Sequence, residues 1–105
     1  HHLSSSQRRL ECIREMIRVL KPNGELLLQV WAKEQPTTSR RQFIDQDNLV
    51  SWQNPSKTKT AKRFYHVFEK DELKHLIQPL LSQKQIQIIH DWYEIGNWIV
   101  LLKKL

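Results

Sequence analysis

The sequence has little glycine, a single cysteine and no long apolar run, and each scarcity excludes a class of protein. The two glycines, Gly24 and Gly96, lie far apart, so they cannot form a glycine-rich loop that binds phosphates or dinucleotides. The single cysteine, Cys12, excludes a disulfide framework within the chain and suits a reducing compartment, so we expect a cytoplasmic or nuclear protein. No apolar run approaches the roughly 20 residues that span a bilayer, so we expect no membrane partner.

Length and charge narrow the possibilities further. At 105 residues the chain forms one domain at most, and because it does not begin with Met we expect it to be cut from a longer protein. The net charge of +6, from 17 basic and 11 acidic residues, favours an anionic partner, and nucleic acid is the commonest. The cysteine and the five histidines lack paired ligand spacing, so no metal site is predicted.

The first third of the chain predicts a helix and a strand. Ser4, Ser5 or Ser6 can cap a helix that runs to about Leu20. Its apolar positions follow the spacing of a one-sided helix: Leu10, Ile13, Met16, Ile17 and Leu20. Pro and Gly favour a turn over residues 21–24, and the apolar run that follows predicts a fully buried strand over residues 25–31.

The remainder is less regular. Residues 33–62 show no clear periodicity and read as a long basic loop, functional or disordered, with a polar and mobile part at residues 54–60. Residues 63–68 alternate and form either a short strand or an ordered loop. A helix should start near residues 69–71 and run to about Leu81, with Pro79 ending or kinking it.

The end of the chain predicts an antiparallel hairpin. Residues 85–93 and 98–102 form its two strands, and we expect Asp91 and Trp98 to face each other across it. The element order is therefore helix, strand, long loop, helix and β-hairpin, an α/β arrangement. Such a fragment leaves one edge of the strand over residues 25–31 unpaired, so we expect a partner chain, a missing preceding half or strand exchange between copies.

Residues 17–32, IRVLKPNGELLLQVWA, resemble the passage into the fifth strand of Rossmann-like class I methyltransferases, which use S-adenosylmethionine. The resemblance implies the C-terminal half of one such domain. In that class the last strand is reversed and inserts between the fifth and the sixth. The half that precedes the fifth strand, with the glycine-rich loop that holds the cofactor, would then be absent from this chain.

Several segments resemble one family within that class, the eukaryotic tRNA wobble-uridine methyltransferases, which methylate a carboxymethyl group on the base. The segments, in order, are HHLS with Arg8-Arg9, VWAKEQ (30–35), QDNLVSW (46–52), RFYHVF (63–68) with Glu72-Leu73, and Asp91 with Asn97-Trp98. The departures are Ser51 where the family usually has Pro, Phe64 where Tyr is usual, and Ile99 where a second Trp is common.

The resemblance implies a set of site residues. Those in catalytic roles would be His2, Arg63 and His66. Those that bind the substrate would be His1, Trp31, Glu34, Gln35, Gln46, Trp52 and Tyr65. Those that contact RNA phosphates would be Arg40, Arg41, Lys57, Lys59 and Lys62. Against this, His1 and His2 could be an expression tag, and the aromatic residues could simply pack in the core.

The implied reaction makes a methyl ester from a carboxylate that is already ionised, because a carboxyl group of this kind has a pKa of about 4. Positioning would then matter more than base catalysis, and an arginine would pair with the carboxylate. The resemblance implies S-adenosylmethionine, bound mainly by the absent half, tRNA and a small zinc-binding activator subunit. Two other hypotheses are a non-catalytic RNA-binding module of this fold and a methyltransferase that acts on a small molecule or lipid.

Overall fold

The structure, a computed structural model, describes residues 1–105 and contains three helices and five strands. In chain order the elements are α1 (Ser6–Val19), β1 (Glu25–Trp31), β2 (Asp47–Gln53), β3 (Thr60–His66), α2 (Glu72–Leu76), α3 (Gln78–Ser82), β4 (Ile86–Glu94) and β5 (Asn97–Lys104). None of the helices has the length and apolar character that would let it cross a membrane.

Helix α1 begins and ends as the sequence predicts. The Ser5 side chain caps its first turn by accepting a hydrogen bond from the Arg8 backbone N–H, at 3.2 Å. Ile13 and Ile17 are buried, whereas Met16, also predicted for the apolar face, is exposed. The fully buried stripe is therefore narrower than predicted, and Leu10 is only partly buried against the core.

The main sheet has the strand order β1-β5-β4, and β5 runs antiparallel to both neighbours. The last strand therefore lies between the other two, and β1 is parallel to β4. The bounds predicted for β1 are confirmed, but the prediction that it is fully buried is wrong. Leu28 and Val30 face the helices, while Leu27 on the other face is 56% exposed, because all three helices pack on the same side of the sheet.

A second sheet lies where the sequence predicted a long loop, so that prediction is wrong for half of the segment. Strands β2 and β3 form an antiparallel hairpin, paired from Asp47 with His66 to Gln53 with Thr60. Asn54 closes the turn: its side-chain oxygen accepts from the Lys59 N–H at 3.0 Å. Most of both faces of this hairpin are exposed, and a strand exposed on both faces lacks the apolar alternation that reveals half-buried strands.

The predicted second helix is broken in two, as Pro79 indicated. Helix α2 ends at Leu76 and α3 begins at Gln78, with Ile77 between them. Pro79 lies in the first turn of α3, where its missing N–H leaves no hydrogen bond unmade. Leu73, Ile77 and Leu80 are buried against the sheet.

The β4–β5 hairpin is confirmed, but its predicted register is wrong. A two-residue turn at Ile95 and Gly96, both with positive φ, pairs Glu94 with Asn97. The turn thereby places Asp91 opposite Val100, and not opposite Trp98, whose partner is Tyr93. A bulge between Ile88 and His90 shifts the register again, which explains why the apolar alternation of β4 is imperfect.

The core lies between the helices and one face of the main sheet, so its stability should depend on how deeply each apolar residue is buried. Ile77 is fully buried and Ile44 is 90% exposed. We expect Ile77→Ala to lower the free energy of unfolding by about 2–5 kcal/mol, since it removes apolar contacts and leaves a cavity. The matched control, Ile44→Ala, should change it by less than about 0.5 kcal/mol. Urea unfolding of the 105-residue chain measures both, and equal effects would contradict this core.

Candidate functional site

The end of β1 is hydrogen-bonded on both sides. On one side the Ala32 N–H donates to the Gly96 carbonyl at 2.8 Å. On the other, the Lys33 N–H donates to the Phe68 carbonyl at 2.8 Å, and the Phe68 N–H donates to the Trp31 carbonyl at 2.9 Å. This short parallel bridge joins the segment after β3 to the main sheet. Trp31 therefore lies where the sheet, the β2–β3 hairpin and the β4–β5 turn meet.

An aromatic cluster forms around Trp31. The rings of Trp31 and Tyr65 are stacked, with centroids 3.9 Å apart and planes 8° from parallel. The His1 ring lies 5.4 Å from Trp31 and 5.2 Å from Tyr65, and the His2 ring lies 4.3 Å from Tyr65. The backbone N–H of Trp31 donates to His1 Nδ1 at 3.2 Å, and His2 Nδ1 donates to the Phe64 carbonyl at 3.1 Å. The structure thus brings four residues of the predicted site together.

An open cleft of about 440 Å³ lies next to this cluster. Its lining residues are Trp31, Gln35, Ser39, Arg40, Arg41, Phe43, Ile95, Gly96 and Asn97. The Arg41 guanidinium lies 4.5 Å from the centre of the Trp31 ring. Because Tyr65 covers one face of that ring, Arg41 covers the other. Neither Arg40 nor Arg41 forms an ion pair with a carboxylate in the chain.

Gln35 connects the end of β1 to the β4–β5 turn. Its side-chain amide donates to the Ala32 carbonyl at 2.7 Å and to the Gly96 carbonyl at 3.0 Å. Gly96 has a φ of +82°, and a Cβ added there would lie 2.5 Å from the Gln35 side-chain oxygen. Only glycine therefore fits this position without strain or a clash.

Glu34 is exposed, but it does not line the cleft. Its two carboxylate oxygens accept from the Trp98 indole N–H at 2.8 Å and from the Lys70 backbone N–H at 3.2 Å. The Tyr93 hydroxyl donates to the Glu34 backbone carbonyl at 2.6 Å. These bonds hold the segment after β1 against α2 and the β4–β5 hairpin.

His66 lies on the opposite face of β3 from Tyr65, because neighbouring residues of a strand point to opposite sides. It is buried, and its two ring nitrogens contact Asp47 Oδ1 at 2.8 Å and Glu72 Oε2 at 2.5 Å. Both ring nitrogens therefore lie within hydrogen-bonding distance of carboxylate oxygens. Gln46 donates to the other oxygen of Glu72 and to the Val67 carbonyl. This network attaches the hairpin to α2.

Arg63 lies further along the hairpin, with its guanidinium 4.6 Å from the centre of the Trp52 ring. It does not line the cleft. Lys57, Lys59 and Lys62 are exposed at or near the tip of the hairpin. Apart from Glu34, the predicted site residues therefore fall into three places, namely the cleft and its aromatic cluster, the network at the base of the hairpin, and the exposed hairpin.

The comparisons with known proteins agree with the sequence resemblance. The tRNA (carboxymethyluridine(34)-5-O)-methyltransferase of Schizosaccharomyces pombe is 31% identical over 125 residues, which cover 99% of this chain and 53% of the relative. The tRNA (carboxymethyluridine(34)-5-O)-methyltransferase alkbh8 of Xenopus tropicalis is 28% identical, over 100% of this chain and 25% of the relative. The chain belongs to this methyltransferase family.

A human relative, described as probable tRNA methyltransferase 9B, is 52% identical over 52 residues, half of this chain and 11% of that protein. No protein-family model matches the chain. The chain spans about half the length of the yeast relative and a smaller fraction of the other two.

Sequence reasoning did not assign five of the nine residues that line the cleft, namely Ser39, Phe43, Ile95, Gly96 and Asn97. Ser39 and Phe43 lie in the irregular segment before β2, where no periodic pattern indicates which side chains point inward. The Phe43 ring lies 6.2 Å from that of Trp31. Asn97 follows the β4–β5 turn and belongs to one of the segments that carry the family resemblance, so that segment was the available signal.

The network around His66 should stabilise the base of the hairpin. We expect Glu72→Gln to lower the free energy of unfolding by about 1–3 kcal/mol, because it weakens charge-assisted bonds to a buried ring. Glu69→Gln is the matched control: Glu69 forms an exposed ion pair with Lys33 at 3.3 Å, and its loss should cost less than about 1 kcal/mol. Thermal unfolding compares the variants, and a larger effect at Glu69 would contradict the account.

Proposed function

We propose that the protein to which this chain belongs is a tRNA methyltransferase that esterifies the carboxylate of 5-carboxymethyluridine at the wobble position, and that the cleft beside Trp31 receives this base. The family assignment supports the reaction class. The main support for placing the base in this cleft is the Tyr65–Trp31–Arg41 stack, which lies beside the cleft at the end of β1.

An aromatic ring beside a cleft suits a flipped pyrimidine. Bases that leave the stack are commonly bound between aromatic side chains or against arginine planes. Arg41 rests on the outer face of Trp31, so a uridine ring can stack on the guanidinium or take its place on the indole. Tyr65 supports the inner face and keeps the indole plane fixed.

Methyl transfer to the carboxymethyl group requires a cation that binds its carboxylate more than it requires a general base. Its carboxyl should have a pKa of about 4, so it is ionised at neutral pH and is already nucleophilic. A guanidinium can bind one edge of this carboxylate with two parallel hydrogen bonds and hold it in position for methyl transfer. Arg41 and Arg40 lie at the cleft and lack carboxylate partners of their own. We therefore assign carboxylate binding to Arg41, and not to Arg63, to which the resemblance gives a catalytic role.

The methyl donor of this class is S-adenosylmethionine, and the residues of this chain do not fit it. Gly24 lies in a turn between α1 and β1, and the space beside Gly96 is taken by Gln35, so neither glycine opens a loop toward a nucleotide. We propose that residues outside the 105 bind the donor. The strand order β1-β5-β4, with β5 reversed, agrees with the end of a Rossmann-like class I sheet, and the free edge of β1 would then pair with a further strand.

We further propose tRNA as the substrate, a small zinc-binding activator subunit as a partner, and a cytoplasmic or nuclear location. Two other functions predict different results. A non-catalytic RNA-binding module, favoured by the unpaired cations of the hairpin, would bind tRNA without transferring a methyl group. A small-molecule methyltransferase would act without binding tRNA.

The test is methyl transfer by the full-length protein, with and without the activator, to tRNA that carries 5-carboxymethyluridine. We expect Arg41→Ala to lower kcat/KM roughly 10- to 150-fold, the equivalent of about 1.5–3 kcal/mol for a hydrogen-bonded charge, and Arg41→Lys to restore part of it. Arg14→Ala, on the exposed side of α1, is the matched control and should have no effect.

Each alternative has its own outcome in this assay. If Arg41→Ala transfers methyl groups as fast as the wild type, Arg41 does not bind the carboxylate. If the wild type binds tRNA and transfers nothing, the protein is an RNA-binding module. If it methylates small carboxylates and does not bind tRNA, the substrate assignment is wrong.

A further inference from the structure

Toward its tip, the β2–β3 hairpin carries a second aromatic surface, around Trp52, that the proposed reaction does not use. Trp52 is 37% exposed, and the Arg63 guanidinium lies 4.6 Å from its ring centre. Trp52 pairs across the hairpin with Ala61, and Arg63 pairs with Val50, so all four side chains lie on one face. Because the Ala61 side chain is small, part of the indole ring stays exposed to solvent. An aromatic ring with an adjoining cation is thus presented to solvent on a two-stranded ribbon.

The charges around this surface have one sign. Residues 48–63 include four cations, Lys57, Lys59, Lys62 and Arg63, and no Asp or Glu. None of these cations forms an ion pair elsewhere in the chain. At the base of the hairpin, the carboxylates of Asp47 and Glu72 are hydrogen-bonded to His66. The hairpin therefore offers uncompensated positive charge beside a flat ring.

The surface around Trp52 is too far along the hairpin to belong to the cleft. Tyr65, Arg63 and Ala61 alternate along the same face of β3, and Trp52 lies opposite Ala61. Four residues of antiparallel strand span about 14 Å, at roughly 3.4 Å each. A base that stacks near Trp31 and Tyr65 cannot also contact Trp52. A ligand that contacts both surfaces must be extended, anionic along its length, and carry a second flat ring.

We propose that Trp52 and Arg63 form a stacking site for a second, unmodified nucleobase of the same single-stranded RNA loop, and that Lys57, Lys59 and Lys62 contact its phosphates. This inference rests on the proposed function, which makes the ligand an RNA. Exposed aromatic rings combined with a basic groove are how proteins bind unpaired nucleotides, and arginine adds a cation–π contribution. Such stacking tolerates any base, so the site would fix the position of the loop and not read its sequence.

The experiment measures RNA binding by the full-length protein. The probe is a fluorescent RNA stem-loop whose loop contains the target carboxymethyluridine. We expect Trp52→Ala to raise Kd about 5- to 150-fold, which is the equivalent of the 1–3 kcal/mol that stacking of one base contributes. Trp52→Phe should retain most of the affinity because it keeps an aromatic face. The matched control is Leu49→Ala: Leu49 is 68% exposed on the opposite face of the same hairpin and should not affect binding.

A second set of RNAs, each with one abasic nucleotide in the loop, identifies the stacked base. One abasic position should weaken binding to the wild type by a factor similar to that of Trp52→Ala, and should cause no further loss in the Trp52→Ala protein. The inference is overturned if Trp52→Ala binds RNA like the wild type. It is also overturned if every abasic penalty is the same in both proteins, because the indole then contacts no base.

The same samples separate the two proposals. Methyl transfer is measured at RNA concentrations that saturate each variant. If the wild type transfers methyl groups and Trp52→Ala binds RNA normally, the proposed function stands and only the stacking site is wrong. If the wild type binds no RNA, both proposals are wrong, and the basic face serves another anionic partner.

Discussion

The end of β1 is the point on which the rest of the site depends. Its backbone pairs with the β4–β5 turn on one side and with Phe68 on the other. These few hydrogen bonds bring together segments that are more than thirty residues apart in sequence, and they bury Ala32 completely. This junction fixes the position of Trp31 beside the cleft. It also sets the direction in which the β2–β3 hairpin leaves the main sheet. A hairpin with so little buried surface of its own needs such an anchor.

Acidic and basic side chains near the site differ in whether they have partners within the chain. Near the site, several acidic side chains are hydrogen-bonded within the protein: Glu34 accepts from Trp98 and Lys70, and Asp47 and Glu72 contact His66. The arginines at the cleft and the lysines of the hairpin are left unpaired. A chain with a net charge of +6 thus places unpaired arginines beside two of its tryptophan rings, Arg41 at Trp31 and Arg63 at Trp52. This combination suits single-stranded nucleic acid better than a duplex, which offers no ring faces for stacking.

The elements that the sequence predicted correctly are those with a strong local signal. Helix α1 has a serine cap and an apolar stripe, β1 follows a turn, and Pro79 breaks the second helix. The β2–β3 hairpin was missed because most of both its faces are exposed, so its apolar residues do not alternate. The resemblance to the family named four of the nine residues that line the cleft, but not their grouping. That Arg41 and not Arg63 lies on Trp31 depends on the junction at β1, which no local pattern encodes.

The most direct test of the central claim is the response of the tryptophan side chains to the free nucleoside. Indole N–H signals of the full-length protein would be recorded by NMR during titration with 5-carboxymethyluridine and assigned with Trp→Phe variants. The account predicts that the Trp31 signal shifts on titration, that the signal of Trp52 does not, and that Arg41→Ala abolishes the Trp31 shift. An unchanged Trp31 signal at saturating nucleoside, or a shift that survives Arg41→Ala, would show that the base and its carboxylate are bound elsewhere.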